Sequence, residues 1–352
     1  MSSLEFPHRD APAPGTVREL APGVLWLRMA LPFALDHINL WLLADGEGWT
    51  IVDTGLGDAP TRARWEEVFA GVIGARPVRR VLVTHYHPDH AGNAGWLCAR
   101  FDSPLWMAQA EFLTAHAVRE GVAGYVPGAT LALFRANGLD EARFAQMATR
   151  GNIYRRQVPE FPDCYRRIMD GERIALGARN WRVIAGYGHA PEHASLYCEE
   201  LGLCISGDML LPSISTNVSV WAIDPEGDPL GQFLHSIKRY RELPGETLVL
   251  PSHGLPFRGA HKRVRQLEAH HEARLAELME ACAEAPRSAA EVLELLFRRK
   301  LDTHQMFFAM GEAIAHLHYL ERAGSLKRAV GADGVTRFAP TTEKAWTSAL
   351  TA

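Results

Sequence analysis

No Cys-x-x-Cys spacing occurs in this 352-residue chain, and its cysteines, Cys98, Cys164, Cys198, Cys204 and Cys282, are odd in number. That argues against a disulfide framework and against a zinc knuckle, and it fits a reducing cytosol, so a cytoplasmic location is expected. Long hydrophobic runs are missing too. No window approaches the roughly 18 uninterrupted apolar residues that a membrane span needs, and the opening MSSLEFPHRDAPAPG lacks the apolar stretch of a secretion signal. No membrane partner is expected. Nor does positive charge dominate: Lys and Arg total 37 against 41 Asp and Glu, a formal charge of −4. No basic field points to nucleic acid. Internal repeats and low-complexity tracts are also lacking, which sets repeat architectures aside.

What is present is enough apolar residue, 47%, to bury a large core, and a length that suits one large domain plus a smaller one. After a Pro-rich leader over residues 1–19, GVLWLRMALPFALDHINLWLLADGEGWTIVDTG reads as short strands with a turn at Asp45 to Gly48. TRARWEEVFAGVIGA follows with apolar residues at helical spacing, and VRRVLVT returns to a strand. This mixture predicts an α/β catalytic domain over residues 20–265. Within it, MAQAEFLTAHAV and ATLALFRANGLDEARFAQMA carry helical spacing, so about residues 105–170 read as an inserted helical segment, while WRVIAGYG, LGLCISGD and ETLVLPSHG resume as strands. A charged connecting helix spans residues 266–285. Residues 286–342 then give helix, helix and a strand-turn-strand closed by Gly-Ala-Asp-Gly, a pattern expected of a small winged-helix-like domain.

Chemistry concentrates in VLVTHYHPDHAGNAG, which sets His85, His87, Asp89 and His90 within six positions directly after a run of β-formers. Two histidines one residue apart on an extended segment project to the same side, where they can grip one ion. Pro88 biases His87 away from helical geometry and breaks the segment, so Asp89 and His90 are free to serve a neighbouring position. Three later residues share this context: His189 after WRVIAGYG, Asp208 after LGLCISG and His253 after ETLVLPS each stand where an expected strand ends. In α/β sheets such strand ends line the crevice that binds ligands, so distant residues can converge there.

The set His85-x-His87-x-Asp89-His90, His189 in GHAPEH, Asp208 in SGD and His253 in PSHG, with Asp53 in IVDTG, resembles the metallo-β-lactamase superfamily over roughly residues 20 to 265. The resemblance implies an αββα sandwich of two mixed sheets with helices outside and a dinuclear metal site along one edge. Carried over position by position, it gives one metal to His85, His87 and His189, the other to Asp89, His90 and His253, and a bridging role to Asp208. Asp53 would orient ligands rather than bind metal. Imidazole and carboxylate donors without a thiolate suit zinc first, and also iron, manganese or cobalt. Two divalent ions against Asp89, Asp208 and a hydroxide leave a positive surplus that favours Lewis-acid hydrolysis. The expected reaction is attack of a metal-bridging hydroxide on a carboxylic thioester or ester of a small-molecule acyl substrate, with Asp89 and Asp208 as the catalytic carboxylates.

Departures from relatives are informative. GHAPEH has Ala190, Pro191 and Glu192 before His193, and His189 is expected to be the ligand with His193 supporting it. The lactonases of the superfamily resemble this chain less, because Leu211 stands where they place a tyrosine three residues after the bridging aspartate. Met209, Tyr125, Phe134 and Trp221 are candidates to line a substrate pocket, against the usual packing role of such residues. Arginines in YRRQ and YRRIMD would either receive an acidic substrate or form a solvated face. The C-terminal helix EAIAHLHYLERAG is not basic, so the small domain is expected to pack on the catalytic domain or on a second copy in a homodimer rather than on nucleic acid. His316 and His318, two apart on a helix, do not share a face and argue against a third metal site. Two other readings use the same motifs: an endoribonuclease, which the acidic net charge disfavours, and a di-iron redox protein, for which no flavodoxin-like domain follows.

Overall fold

In the computed structural model, which describes residues 4–341, the chain divides into two compact units. The first three residues of the expected leader, and residue 342 at the end of the expected small domain, lie outside the described residues. One unit comprises the residues up to Glu120, Ile153–Thr216 and Ile237–Val264; the other comprises Gly121–Asn152, Asn217–Ser236 and the chain from Arg265 on.

The first unit is built on two mixed sheets. Strands β1 (Arg18–Ala21), β2 (Val24–Ala30), β3 (His37–Asp45), β4 (Gly48–Val52), β5 (Val78–Leu82), β6 (Leu105–Met107) and β7 (Arg166–Arg167) lie side by side in chain order. Pairing is antiparallel through β4 and parallel from β4 to β7. The second sheet contains β8 (Arg173–Leu176), β9 (Arg179–Gly186), β10 (His193–Cys198), β11 (Leu203–Gly207), β12 (Leu248–Pro251) and β13 (Phe257–Arg258), with β11 and β12 parallel. The β2 and β3 runs VLWLRMA and HINLWLLAD are almost continuously apolar because both faces of their sheet are covered. Alternate residues go opposite ways. Val24, Trp26, Trp41, Leu43 and Val52 join Trp181, Val183, Leu196 and Leu250 of the second sheet in one core. Leu25, Leu27, Leu40, Leu42 and Ile51 join Trp65 and Val68 of helix α1 (Ala59–Val68) and Leu97 in a separate core. A register slip of one residue in β2 would exchange the two sets, so packing pins the strand.

Helices α2 (Pro88–Ala91), α3 (Ala94–Phe101), α4 (Gln109–Glu120) and α7 (Ile153–Gln157) belong to this unit, whereas α5 (Pro127–Ala136) and α6 (Glu141–Ala148) belong to the other. The helical segment expected over residues 105–170 is therefore corrected at both ends, where β6 and β7 extend the sheet. Strands of three and two residues are too short to show alternation. The leader is also paired: Glu5 exchanges backbone hydrogen bonds with Arg258, at 3.3 and 2.8 Å. All five cysteines are free. Among the described residues no helix is long and apolar enough to cross a membrane.

The second unit contains α8 (Pro229–Ile237) up to Ser236, most of α9 (Ala260–Glu284), the short α10 (Leu293–Leu296), α11 (Thr303–Arg322) and a hairpin of β14 (Leu326–Val330) and β15 (Thr336–Pro340). Asp302 and Gln305 form a capping box that starts α11. Phe134 is fully buried and meets Phe307 edge on, and Trp221 packs on the same ring. These two pocket candidates therefore contribute to packing here.

His316 pairs not with His318 but with His271, Nε2 to Nδ1 at 3.1 Å. Burial pushes His316 down to about 4, against a raising contact from the Glu312 carbonyl, and pushes His271 well below its ordinary value. An imidazole kept neutral in the folded chain takes up a proton on unfolding below about pH 6.5, so the stability present above that pH is lost as pH falls towards the folded value. Measured against a His316→Gln variant in denaturant titrations, the wild type is expected to lose about 3 kcal/mol more between pH 7 and 4. Equal acid sensitivity of the two would contradict this. The Glu312 carboxyl, raised to about 7 by burial, acts with the opposite sign and cancels in the comparison.

Candidate metal centre

All of the expected set but Asp89 and His90, which lie on helix α2, stand beyond the end of a strand. Asp53 follows β4, His85 and His87 follow β5, His189 follows β9, Asp208 follows β11 and His253 follows β12. Because β4 with β5 and β11 with β12 run parallel, these ends lie together on one edge of each sheet. The sheets are tied there by Ala194 N donating to Thr84 O at 2.9 Å and Asn39 N to Ser252 O at 2.7 Å.

The two histidines stand on a loop just beyond the strand, with His87 in extended backbone geometry. β5 stops at Leu82, and Thr84 turns inward because its N–H donates to Asp53 Oδ1 at 2.8 Å. Pro88 is the first residue of α2, where its missing N–H costs nothing, and it places Asp89 and His90 on a single helical turn. Gly92 follows, and a Cβ there would lie 2.4 Å from Gly57 N, so this glycine lets the loop pack against the turn after β4.

Seven side chains converge. Ligand atoms of His85, His87, His189 and Asp208 lie within 4.8 Å of one another, and so do those of Asp89, His90 and His253. Asp208 spans both groups. Its Oδ2 is 3.3 Å from His189 Nε2 and 4.0 Å from His85 Nε2; its Oδ1 is 3.4 Å from His253 Nε2 and 3.5 Å from His90 Nε2. Asp89 Oδ2 is 3.5 Å from His253 Nε2.

Surrounding groups set which ring nitrogen faces inward. A carboxylate only accepts, so His90 Nδ1 donates to Asp53 Oδ2 at 2.8 Å, and His253 Nδ1 donates to the His37 carbonyl at 2.7 Å. Thr84 Oγ1 gives its proton to Asp53 and accepts from His85 Nδ1 at 3.1 Å. The Nε2 lone pairs of all three rings are thereby aimed at the cluster. His193, fully buried and pushed down to about 3 by burial, accepts the Asp208 N–H at 3.1 Å. Gly207 makes that contact possible: it has φ of +53°, and a Cβ would stand 2.2 Å from His193 Nε2. His193 supports Asp208 from behind.

Cations fit this arrangement. His85 and His189 Nε2 face each other at 3.2 Å, and the buried His90 Nε2 and Asp208 Oδ1 have no hydrogen-bond partner. Burial, then the charge of neighbouring imidazoles, lowers His85 and His87 well below their ordinary values, which keeps them neutral as ligands must be. Burial would raise Asp208, but His253 and His90 outweigh it and hold its carboxyl well below the usual range. At His90, burial is overcome by Asp53, Asp208 and Asp89, which together raise its imidazole well above the ordinary value. The cluster is consistent with a dinuclear metal site.

A mixed two-sheet α/β fold with such a cluster at its edge defines a metal-dependent hydrolase. Residues 34–253 match the model of the metallo-beta-lactamase superfamily, and residues 275–341 match the metallo-beta-lactamase-like, C-terminal domain; the chain belongs to that superfamily. It is similar to a beta-lactamase domain protein from Burkholderia ambifaria of solved structure, at 48% identity and a TM-score of 0.90, over 96% of this chain and 98% of that one. The probable metallo-hydrolase YqjP of Bacillus subtilis (strain 168) is 25% identical over 85% of this chain and 92% of its own. An atrochrysone carboxyl ACP thioesterase from Aspergillus fumigatus is 23% identical over 87% of this chain and 81% of its own.

Other expectations resolve individually. Tyr86 is buried in the core, 7% exposed, where its ring packs 4.6 Å from that of His87. Met209 and Leu211 are buried as well. Arg166 pairs with Glu172 and lies over Trp106, and Arg155 is 3.8 Å from Glu120. Sequence reasoning missed Thr84, His37, Glu111 and Tyr154. Only Thr84 carries a local signal, its position between a strand and the first histidine.

Proposed function

We propose that this chain hydrolyses carboxylic thioesters or esters of small-molecule acyl substrates, thioesters in preference. The observation that carries the reading is the placement of Asp208, one oxygen towards each of two ligand groups, in a set of five imidazoles and two carboxylates. His85, His87 and His189 would hold one ion, Asp89, His90 and His253 the other, and Asp208 would join them. A donor set without thiolate suits zinc. Two bound divalent ions would supply Lewis acidity and a hydroxide nucleophile at neutral pH.

Asp89 is the carboxylate best placed to orient the attacking group and move its proton. Its side chain keeps 17% exposure, whereas those of His90 and His253 keep 0% and 3%, so it alone of the second ligand group reaches solvent and an entering substrate. The thioester preference is supported by the named activity of the fungal relative, and the net charge of −4 weighs against a phosphodiester substrate.

One panel tests this: purified protein assayed on acyl thioesters, aryl esters, lactones and single-stranded RNA, with and without prior metal chelation. Thioester turnover that exceeds ester turnover and disappears on chelation is expected. Cleavage of RNA without turnover of any ester or thioester would contradict the proposal.

A further inference from the structure

Glu111 is an anomaly in the first unit. It sits in the first turn of α4 with no exposed surface, and burial pushes its carboxyl up to about 8. Burying a carboxylate where a leucine would pack costs several kcal/mol unless its oxygens are satisfied. They are, and by groups that matter. Oε2 accepts the backbone N–H of Tyr86 at 2.8 Å, and Oε1 accepts that of Glu192 at 2.5 Å.

Tyr86 is the residue between His85 and His87, and Glu192 lies in the loop between His189 and His193. One carboxylate thus ties together the two loops that carry the first ligand group. The tie is doubled in both directions. Glu192 Oε2 accepts from Ala110 N at 3.3 Å, so the loop grips the start of α4 as α4 grips the loop. On the other side of the Tyr86 residue, the buried Tyr154 hydroxyl of α7 donates to the Tyr86 carbonyl at 2.6 Å. The amide and the carbonyl of the residue between two ligands are each held by a buried side chain. The first turn of α4 also favours negative charge through the helix dipole, which offsets part of the burial cost.

We infer that Glu111 is a positioning residue for one half of the metal centre: with Tyr154 it sets the distance between the His85–His87 loop and the His189 loop, and so the affinity of the ion they hold. In the second ligand group, His90 and His253 are oriented instead by Asp53 and His37. This inference rests on the metal-hydrolase reading of the same site, yet its readout is ion affinity, which does not depend on any substrate.

The test compares wild type, Glu111→Gln and Tyr154→Phe by titrating zinc, and separately cobalt, into chelator-stripped protein, with unfolding midpoints measured alongside. Gln offers an amide NH2 to one of the two N–H donors and breaks half the clamp. Glu111→Gln is expected to weaken one of two ions about 10–100-fold, to alter the cobalt absorption of that site, and to leave the other ion within about threefold. Tyr154→Phe keeps the carboxylate and serves if Glu111→Gln does not fold; it is expected to weaken the same ion by a smaller factor. Equal weakening of both ions, or of neither in a variant with a lowered unfolding midpoint, makes Glu111 a packing residue and overturns the inference. If the wild type itself takes up no ion, the metal-centre reading fails first and the clamp with it.

Discussion

Asp208→Ala is expected to abolish turnover and release metal in one step, with kcat/KM falling at least about a thousandfold, or some 4 kcal/mol of transition-state stabilisation. The size follows from position. Asp208 turns one oxygen towards each ligand group, at 3.3 Å from His189 and 3.4 Å from His253. Without it, the two cations that the cluster would hold would lack the carboxylate that faces both ligand groups. The fold should survive, because the local backbone is held by Asp208 N to His193 and by the Thr216 hydroxyl to Asp208 O at 2.5 Å, neither of which uses the lost carboxylate. Kinetics and metal analysis of the folded variant check this. Near wild-type kcat/KM with a full metal complement would contradict it.

Asp53→Ala should be the more damaging change to stability. Asp53 is fully buried and accepts from Thr84 N, Thr84 Oγ1 and His90 Nδ1. Its loss strands three donors and frees the His90 ring, at a cost of about 3–5 kcal/mol in unfolding free energy, with about 10–100-fold weaker binding of the ion that His90 holds. The backbone offers an internal control. Asp53 has φ of +61°, in the left-handed region that glycine enters without strain. Asp53→Gly should therefore be less destabilising than Asp53→Ala by about 1 kcal/mol while losing metal affinity to the same degree. Equal unfolding midpoints for the two, read from denaturant curves, would mean that the backbone strain is not expressed.

The comparison also separates what a linear pattern can carry from what it cannot. His85, His87, Asp89 and His90 announce themselves because four donors crowd six positions, and His189, Asp208 and His253 because each ends an apolar run that can only be a strand. The two-faced burial of β2 and β3 has a similar basis: runs apolar at almost every position leave no face for water. Glu111 was not readable. Its partners are backbone groups 25 and 81 residues away, and a glutamate at the start of an amphipathic helix looks like a solvated one. The His271–His316 pair escaped because its members are 45 residues apart, whereas His316 and His318 caught the eye by mere proximity. The end of β5 at Leu82 was not readable, because β-formers continue past it while Asp53, just beyond β4, captures Thr84.

Seven side chains at the joined edges of two sheets would hold two cations. Measuring the metal-to-chain ratio of the folded protein by elemental analysis, before and after dialysis against a chelator and again after zinc is returned, tests it most directly. Two ions per chain, lost with activity and regained with it, are predicted. A chain that remains fully active at a ratio near zero would contradict the account.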